Sequence, residues 1–107
     1  MIITRTPFRM SYVGGGTDIK AFYKNEPGAV LSAAIDKYMY VTVHQKFDGG
    51  IRVAYSKTEE VSNIDDIEHP LVRESLKKLG ILGGVEITST ADIPAKGTGL
   101  GSSSSYT

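Results

Sequence analysis

Two glycine-rich stretches carry the residue types from which chemistry could be built. Near the carboxyl end, PAKGTGLGSSSS at positions 94–105 places Gly97, Gly99 and Gly101 ahead of a run of serines. Phosphate oxygens need closely approaching main-chain N–H donors, and glycine leaves such donors unobstructed. Serines at the head of a following helix would add unpaired N–H groups, the positive end of a helix dipole, and hydroxyls able to ligate a phosphate-bound magnesium ion. The spacing is not that of a Walker A loop, which needs a lysine where Ser102 stands, and GTGLGS lacks the third glycine of GxGxxG. On spacing alone the stretch is either a phosphate cradle or a flexible tail. A strand-like run, VEITST, leads into it through Asp92-Ile93-Pro94, which a mere tail would not need.

The second stretch, PFRMSYVGGGTD at positions 7–18, offers two kinds of charge. Asp18 could accept hydrogen bonds from one or two hydroxyls of a sugar and so orient it. Arg9 could stabilise developing negative charge. Arg5 lies four residues before Arg9 on the same predicted strand, so the pleat puts both on one side. There it could meet a phosphate, or form a surface salt bridge. Taken alone, this segment reads as a strand, a turn and a helix cap.

The elements that must position these residues follow from pattern. Residues 1–13 are rich in strand formers, with Pro7 suited to an edge position or a bend. Asp18 is placed to cap a short helix with Ala21, Phe22 and Tyr23 on its apolar side, ended by Asn25 and Pro27-Gly28. Residues 29–35 and 38–44 read as two strands, with Asp36 a turn aspartate between them and a candidate for the substrate rim. Asp48-Gly49-Gly50 signals a hairpin into the strand IRVAYS. Pro70 opens a helix over 70–79 with Leu71, Val72, Ser75, Leu76 and Leu79 on one side, closed by Gly80. A last strand spans 85–90. The order of elements predicts an α+β or mixed α/β layer.

Composition narrows the classes. The 107 residues make one domain at most, and twelve acidic residues balance twelve basic ones. With no net field, nucleic acid is not an expected partner. No apolar run is long enough for a membrane span and no leader pattern opens the chain, so the expectation is a cytoplasmic protein. Without cysteine, disulfides, thiolate metal sites and cysteine nucleophiles are excluded. His44 and His69 stand in no ligand spacing and read as surface or helix-end residues.

Pro94 followed by Gly99-Leu100-Gly101-Ser102-Ser103-Ser104 resembles the second motif of the GHMP kinases, the superfamily of galactokinase, homoserine kinase and mevalonate kinase. Pro7-Phe8-Arg9 through Gly14-Gly15-Gly16-Thr17-Asp18 is similar to the first motif of its sugar kinases. The two motifs stand in the expected order. The resemblance implies ATP and Mg2+ as cofactors, with phosphates held by Pro94, Gly97, Gly99, Leu100, Gly101, Ser102, Ser103 and Ser104, and Ser103 on the magnesium side. It implies Gly15, Gly16, Thr17, Asp18 and Arg5 as substrate-binding and Arg9 as catalytic.

The wording GGGTD, with RTPFRMSYV before it and AVLSAAIDKYMYV after it, most resembles the D-glycero-D-manno-heptose 7-phosphate kinase branch, whose transfer goes to the anomeric hydroxyl. Galactokinases prefer glutamate and histidine where this chain has Gly15 and Gly16, which argues against galactose. A fucokinase- or galactokinase-like enzyme and a noncatalytic sugar- or nucleotide-binding module remain the alternatives. The implied fold is α+β, ribosomal protein S5 domain 2-like, a mixed sheet with helices on one side. Because such kinases are much longer, residues 1–107 are expected to be the N-terminal part of an ATP-binding domain, truncated after the phosphate loop and inactive alone. Oligomeric state is left open.

Overall fold

A computed structural model describes residues 1–94 and 102–107. A five-stranded mixed sheet is built from β1 (Ile2–Val13), β2 (Leu31–Gln45), β3 (Ile51–Ala54), β4 (Thr58–Val61) and β5 (Val85–Ala91), in the order β1-β2-β5-β3-β4. Its pairings are antiparallel except β3 with β5, which run parallel. Parallel neighbours need a crossover, and here α2 (Pro70–Leu79) lies in it. Two further short helices, α1 (Lys20–Tyr23) and α3 (Ser102–Tyr106), complete the described elements, with 3-10 turns at Gly15–Asp18 and Ile64–Asp66.

The core lies between α2 with the turn before it and the β3–β5 part of the sheet. Ile51, Val53, Val85 and Ile87 come from alternate strand positions, Val72 and Leu76 from one helix stripe, and Ile64 and Ile67 from the turn. Tyr106 of α3 packs against the same cluster, so α2 and α3 cover one face. The α+β expectation, a mixed sheet with helices on one side, describes this arrangement. Leu79, expected on the buried stripe, is exposed. Gly80 turns left-handed there and Ile81 donates its N–H to the Leu76 carbonyl at 3.0 Å, so Ile81 folds back onto the core instead.

Three sequence expectations change, and one strand is new. Residues 29–35 and 38–44 are not two strands; β2 is continuous, and Asp36 lies within it, exposed. The polar pair Asp36-Lys37 marks a bulge rather than a turn: between the rungs Pro7↔Tyr38 and Arg9↔Ala34, β2 carries two more residues than β1. The predicted β2–β3 hairpin does not form, because β5 lies between those strands. Gly84 donates to the Gly49 and Gly50 carbonyls at 2.9 and 3.0 Å, and Lys46 donates to the Gly84 carbonyl at 2.8 Å. A Cβ on Gly83 would stand 2.6 Å from the Gly49 carbonyl oxygen, so the approach requires a residue without one.

The third change is at Asp18, which caps nothing: it ends the 3-10 turn, Ile19 holds the N-cap position of α1, and no side chain bonds there. No residue of α1 is buried, so Phe22 and Tyr23 do not face a core. The new strand is β4, TEEV, for which the sequence reading assigns no element; its Glu59 is buried between the sheet and the start of α2. Pro7 falls on the edge strand beside the bulge, as a proline in a sheet should.

Candidate functional site

β1 carries Arg5, Pro7 and Arg9 into the glycine turn. Arg5 is exposed, with its guanidinium carbon 3.8 Å from the centre of the Tyr38 ring on β2. That sets the cation over the electron-rich ring, and no described residue takes its N–H groups in a hydrogen bond or ion pair. Arg9 is half-buried and donates from Nη1 to Ser11 Oγ at 3.2 Å, which holds its head along the strand.

Gly14 makes the turn at φ 91, where a side chain is strained, and a Cβ there would lie 2.1 Å from the Ala29 carbonyl oxygen. Thr17 closes the turn: its N–H donates to the Gly14 carbonyl at 3.0 Å, and its hydroxyl lies 2.8 Å from that carbonyl and 3.2 Å from that of Ala29. The Thr17 hydroxyl is therefore engaged with main chain in this structure. Gly16 faces open space, with nothing within 4 Å of where a Cβ would be. Asp18 is exposed, and no described residue pairs with its carboxylate.

The second glycine-rich stretch leaves β5 at Asp92, whose exposed carboxylate accepts from the Tyr38 N–H at 2.9 Å while its own N–H donates to the Tyr38 carbonyl at 3.0 Å. Ile93 and Pro94 follow. Gly97, Gly99, Leu100 and Gly101 lie outside the described residues, as do the side chains of Ser102 and Ser103. Ser104 is exposed in α3. Ser105 donates its hydroxyl to the Pro7 carbonyl at 3.1 Å.

An aromatic stack seats α3. Tyr106 stacks with the His69 ring at 5.0 Å between centroids, and Tyr55 meets that ring in an edge geometry at 4.7 Å. Burial pushes the Tyr106 hydroxyl's pKa up. His69 caps α2, its Nδ1 accepting from the Val72 N–H, which makes it the helix-end residue its sequence context suggested. Beneath the stack, Glu59 accepts from Tyr55 Oη at 2.8 Å, from the Glu68 N–H at 2.7 Å and from the His69 N–H at 3.3 Å. Burial pushes the Glu59 carboxyl up, but those donors outweigh it and hold it below the ordinary carboxylate value. Burial, and then the same contact with Glu59, push the Tyr55 phenol up.

The structure thus brings the proline–arginine part of the first motif against the helix that follows the second. The glycine turn begins seven residues past Pro7, and no hydrogen bond or ion pair joins Asp18 to Arg9 or α3 among the described residues. The sequence reading missed Asp92, Tyr38 and Ser105. A signal existed for Asp92, since an aspartate two residues before a proline at a strand end is a turn-forming residue. For the other two, whose partners lie far along the chain, there was none.

No family model matches the chain. Over 50 residues, or 47% of its length, it is 42% identical to the D-glycero-alpha-D-manno-heptose 7-phosphate kinase of Campylobacter jejuni. Among solved structures it matches a D-glycero-D-manno-heptose 1-phosphate kinase from Bacteroides thetaiotaomicron with a TM-score of 0.81 and 25% identity, over 97% of this chain. In sequence over that stretch and in fold, the chain resembles part of a GHMP-type kinase. The mevalonate kinase of Methanococcus jannaschii shares the fold of the chain at a TM-score of 0.70, 20% identity and 97% coverage. The stretch aligned by sequence spans 15% of the curated relative, and the chain spans 38% of the heptose kinase structure and 36% of the mevalonate kinase. No described helix is long and apolar enough to cross a membrane.

Proposed function

We propose that this chain is part of an ATP-dependent kinase that phosphorylates a sugar phosphate, D-glycero-D-manno-heptose 7-phosphate, at its anomeric hydroxyl. The observation that carries the reading is the seating of α3 on the Pro7 carbonyl, which sets the end of the serine run beside the strand that holds Arg5 and Arg9. The names of the Campylobacter and Bacteroides relatives support a heptose phosphate as acceptor. The chemistry of the donor set fits a nucleotide and a hard cation. Main-chain amides of glycine and hydroxyls of serine suit phosphate oxygens and magnesium, and no thiolate competes.

Bound ATP with magnesium supplies the phosphoryl group and neutralises its charge. The chain's own residues do the rest by position. The amides from Gly97 to Ser103 would hold the phosphates, and the Ser103 hydroxyl would serve the magnesium side. Asp18, unpaired and exposed beside the open face of Gly16, accepts hydrogen bonds from the sugar and orients it. Arg9 stabilises charge at the accepting oxygen. Arg5, its guanidinium held over the Tyr38 ring, directs its donors to the phosphate that the sugar already carries. A cytoplasmic location is part of the proposal.

The test is ADP release by the full-length protein that carries this chain, with heptose 7-phosphate, ATP and magnesium. Asp18→Asn weakens a charge-assisted hydrogen bond to the sugar, so kcat/KM for the sugar falls about 10- to 100-fold. Ser103→Ala lowers turnover and raises the magnesium requirement. Wild-type turnover left unchanged by both variants would overturn the assignment. Calorimetric binding of ATP without any ADP release would leave a noncatalytic module.

A further inference from the structure

We infer that Asp92 and Ser105 are positioning residues that fix the two stems of the 95–101 segment on a single rung of the β1–β2 ladder. The inference rests on the reading of that segment as the phosphate loop.

The rung is Pro7↔Tyr38. On the β5 side, the antiparallel register runs Tyr40↔Thr90 and Met39↔Ala91, so the next pair is Tyr38 with Asp92. A paired rung of this kind exchanges two main-chain bonds. Here only one is main chain to main chain, from the Asp92 N–H to the Tyr38 carbonyl. The other acceptor is not the Asp92 carbonyl but its side-chain Oδ2, 2.9 Å from the Tyr38 N–H. The carboxylate stands in for a backbone carbonyl, so Tyr38 stays satisfied while the Asp92 carbonyl is released and the strand ends.

A side chain that does this needs an acceptor on its γ carbon, which aspartate and asparagine have and alanine lacks. Without it, the Tyr38 N–H is left to recruit the main-chain carbonyl, β5 zips on by a residue, and the root of the segment shifts along the sheet.

The other stem is anchored by different chemistry on the opposite strand. Ser105 donates its hydroxyl to the carbonyl of Pro7, the residue across the rung from Tyr38. Both stems therefore refer to one point on the sheet. Beyond it the ladder slips at the β2 bulge. Tyr38 adds a second tie, since its ring carries the Arg5 guanidinium. The rung thus sets the nucleotide-side segment and Arg5 against each other. A displacement of about 1 Å in a reacting group can cost roughly a hundredfold in rate, which gives such a fixed point its value.

The experiment compares wild type, Asp92→Ala, Asp92→Asn and Ser105→Ala in the full-length protein. It reads the KM for ATP and for the sugar phosphate separately, ATP affinity by calorimetry, and amide exchange over residues 95–101. Asp92→Ala should raise the KM and Kd for ATP about tenfold, the worth of one charge-assisted bond at an exposed site, and speed the exchange. Its sugar KM should stay within about twofold. Asp92→Asn keeps the acceptor and should restore both readouts to within about twofold of wild type.

Ser105→Ala should raise the ATP KM by about threefold, as loss of a neutral bond would. If Asp92→Ala fails to fold, the Asn and Ser105 variants decide between the same alternatives. Unchanged ATP KM and exchange in Ser105→Ala and Asp92→Ala overturn the inference. So does an Asp92→Asn variant as impaired as the alanine, since that would make the charge itself the working feature. An equal rise in both substrates' KM would also overturn it. A wild type that consumes no ATP defeats the kinase reading instead, and the exchange comparison then still tests the anchoring alone.

Discussion

Replacing Gly14 by alanine tests whether the glycine turn is built to hold Asp18. The magnitude follows from two features of the turn. At φ 91 the backbone is left-handed, which costs an L-residue about 1–2 kcal/mol. The new Cβ would also stand 2.1 Å from the Ala29 carbonyl oxygen and 3.0 Å from Ala29 C and Val30 Cα, all backbone atoms that cannot swing aside as a side chain would. The segment at 29–30 must retreat, and with it goes the bond from the Thr17 hydroxyl to the Ala29 carbonyl, worth about 1 kcal/mol. Gly14→Ala should therefore lose about 2–4 kcal/mol in urea unfolding of the full-length protein. Gly16→Ala is the matched control, since Gly16 has ordinary backbone angles and open space around it. It should stay within about 0.5 kcal/mol of wild type. In turnover assays Gly14→Ala should raise the sugar KM with little change for ATP. Equal stability of the two variants would refute the account of the turn, and a selective ATP defect would refute its link to the sugar.

Two more predictions concern the frame. Glu59→Gln puts an amide where three donors converge, so it should destabilise by about 2–4 kcal/mol in the same unfolding assay. Because the folded Glu59 carboxyl is held below its ordinary 4.5, its stabilising contribution is complete above that pH and is lost as pH falls through the lowered folded value. The glutamine variant should accordingly lack that part of the acid-side loss. Gly83→Ala drives a Cβ to 2.6 Å from the Gly49 carbonyl oxygen and should cost about 1–3 kcal/mol, read by unfolding midpoint at constant slope.

Where the determinants are local, the sequence was legible. Helix α2 has its proline at the first turn, its glycine just past the end and its stripe of Val72 and Leu76, all close together in sequence, and it forms where those signals put it. β5 and the first half of β1 alternate or favour strand on their own. The errors are at places decided from afar. Asp36-Lys37 looks like a turn until Phe8 and the slipped register of β1 make it a bulge. Asp48-Gly49-Gly50 has the chemistry of a hairpin, yet the edge it would use is taken by β5, which enters with Gly83 and Gly84 against Gly49. TEEV carries no strand signal of its own, because the donors that justify burying Glu59 come from Tyr55, Glu68 and His69. The motif residues were legible through family resemblance, which names residue types. It does not name Asp92 and Ser105, whose partners are the main chain of Tyr38 and Pro7.

The insertion of β5 between β2 and β3 links these observations. A β2–β3 hairpin would leave β5 at a sheet edge, free to end anywhere along it. Placed between them, β5 is fixed in register on both sides, from Val85 against Gln45 and Ile51 to Ala91 against Met39. Its last pairing therefore lands next to Tyr38, and its exit meets the rung whose other member, Pro7, receives α3. The glycines at one end of the strand and the aspartate at the other are thus parts of one alignment. A change at Gly83 that slid β5 by a single residue would carry Asp92 off Tyr38 and turn every side chain of the strand to the other face. That coupling is why Gly83→Ala is expected to weaken ATP binding as well as stability, although it lies at the end of the sheet away from the candidate site.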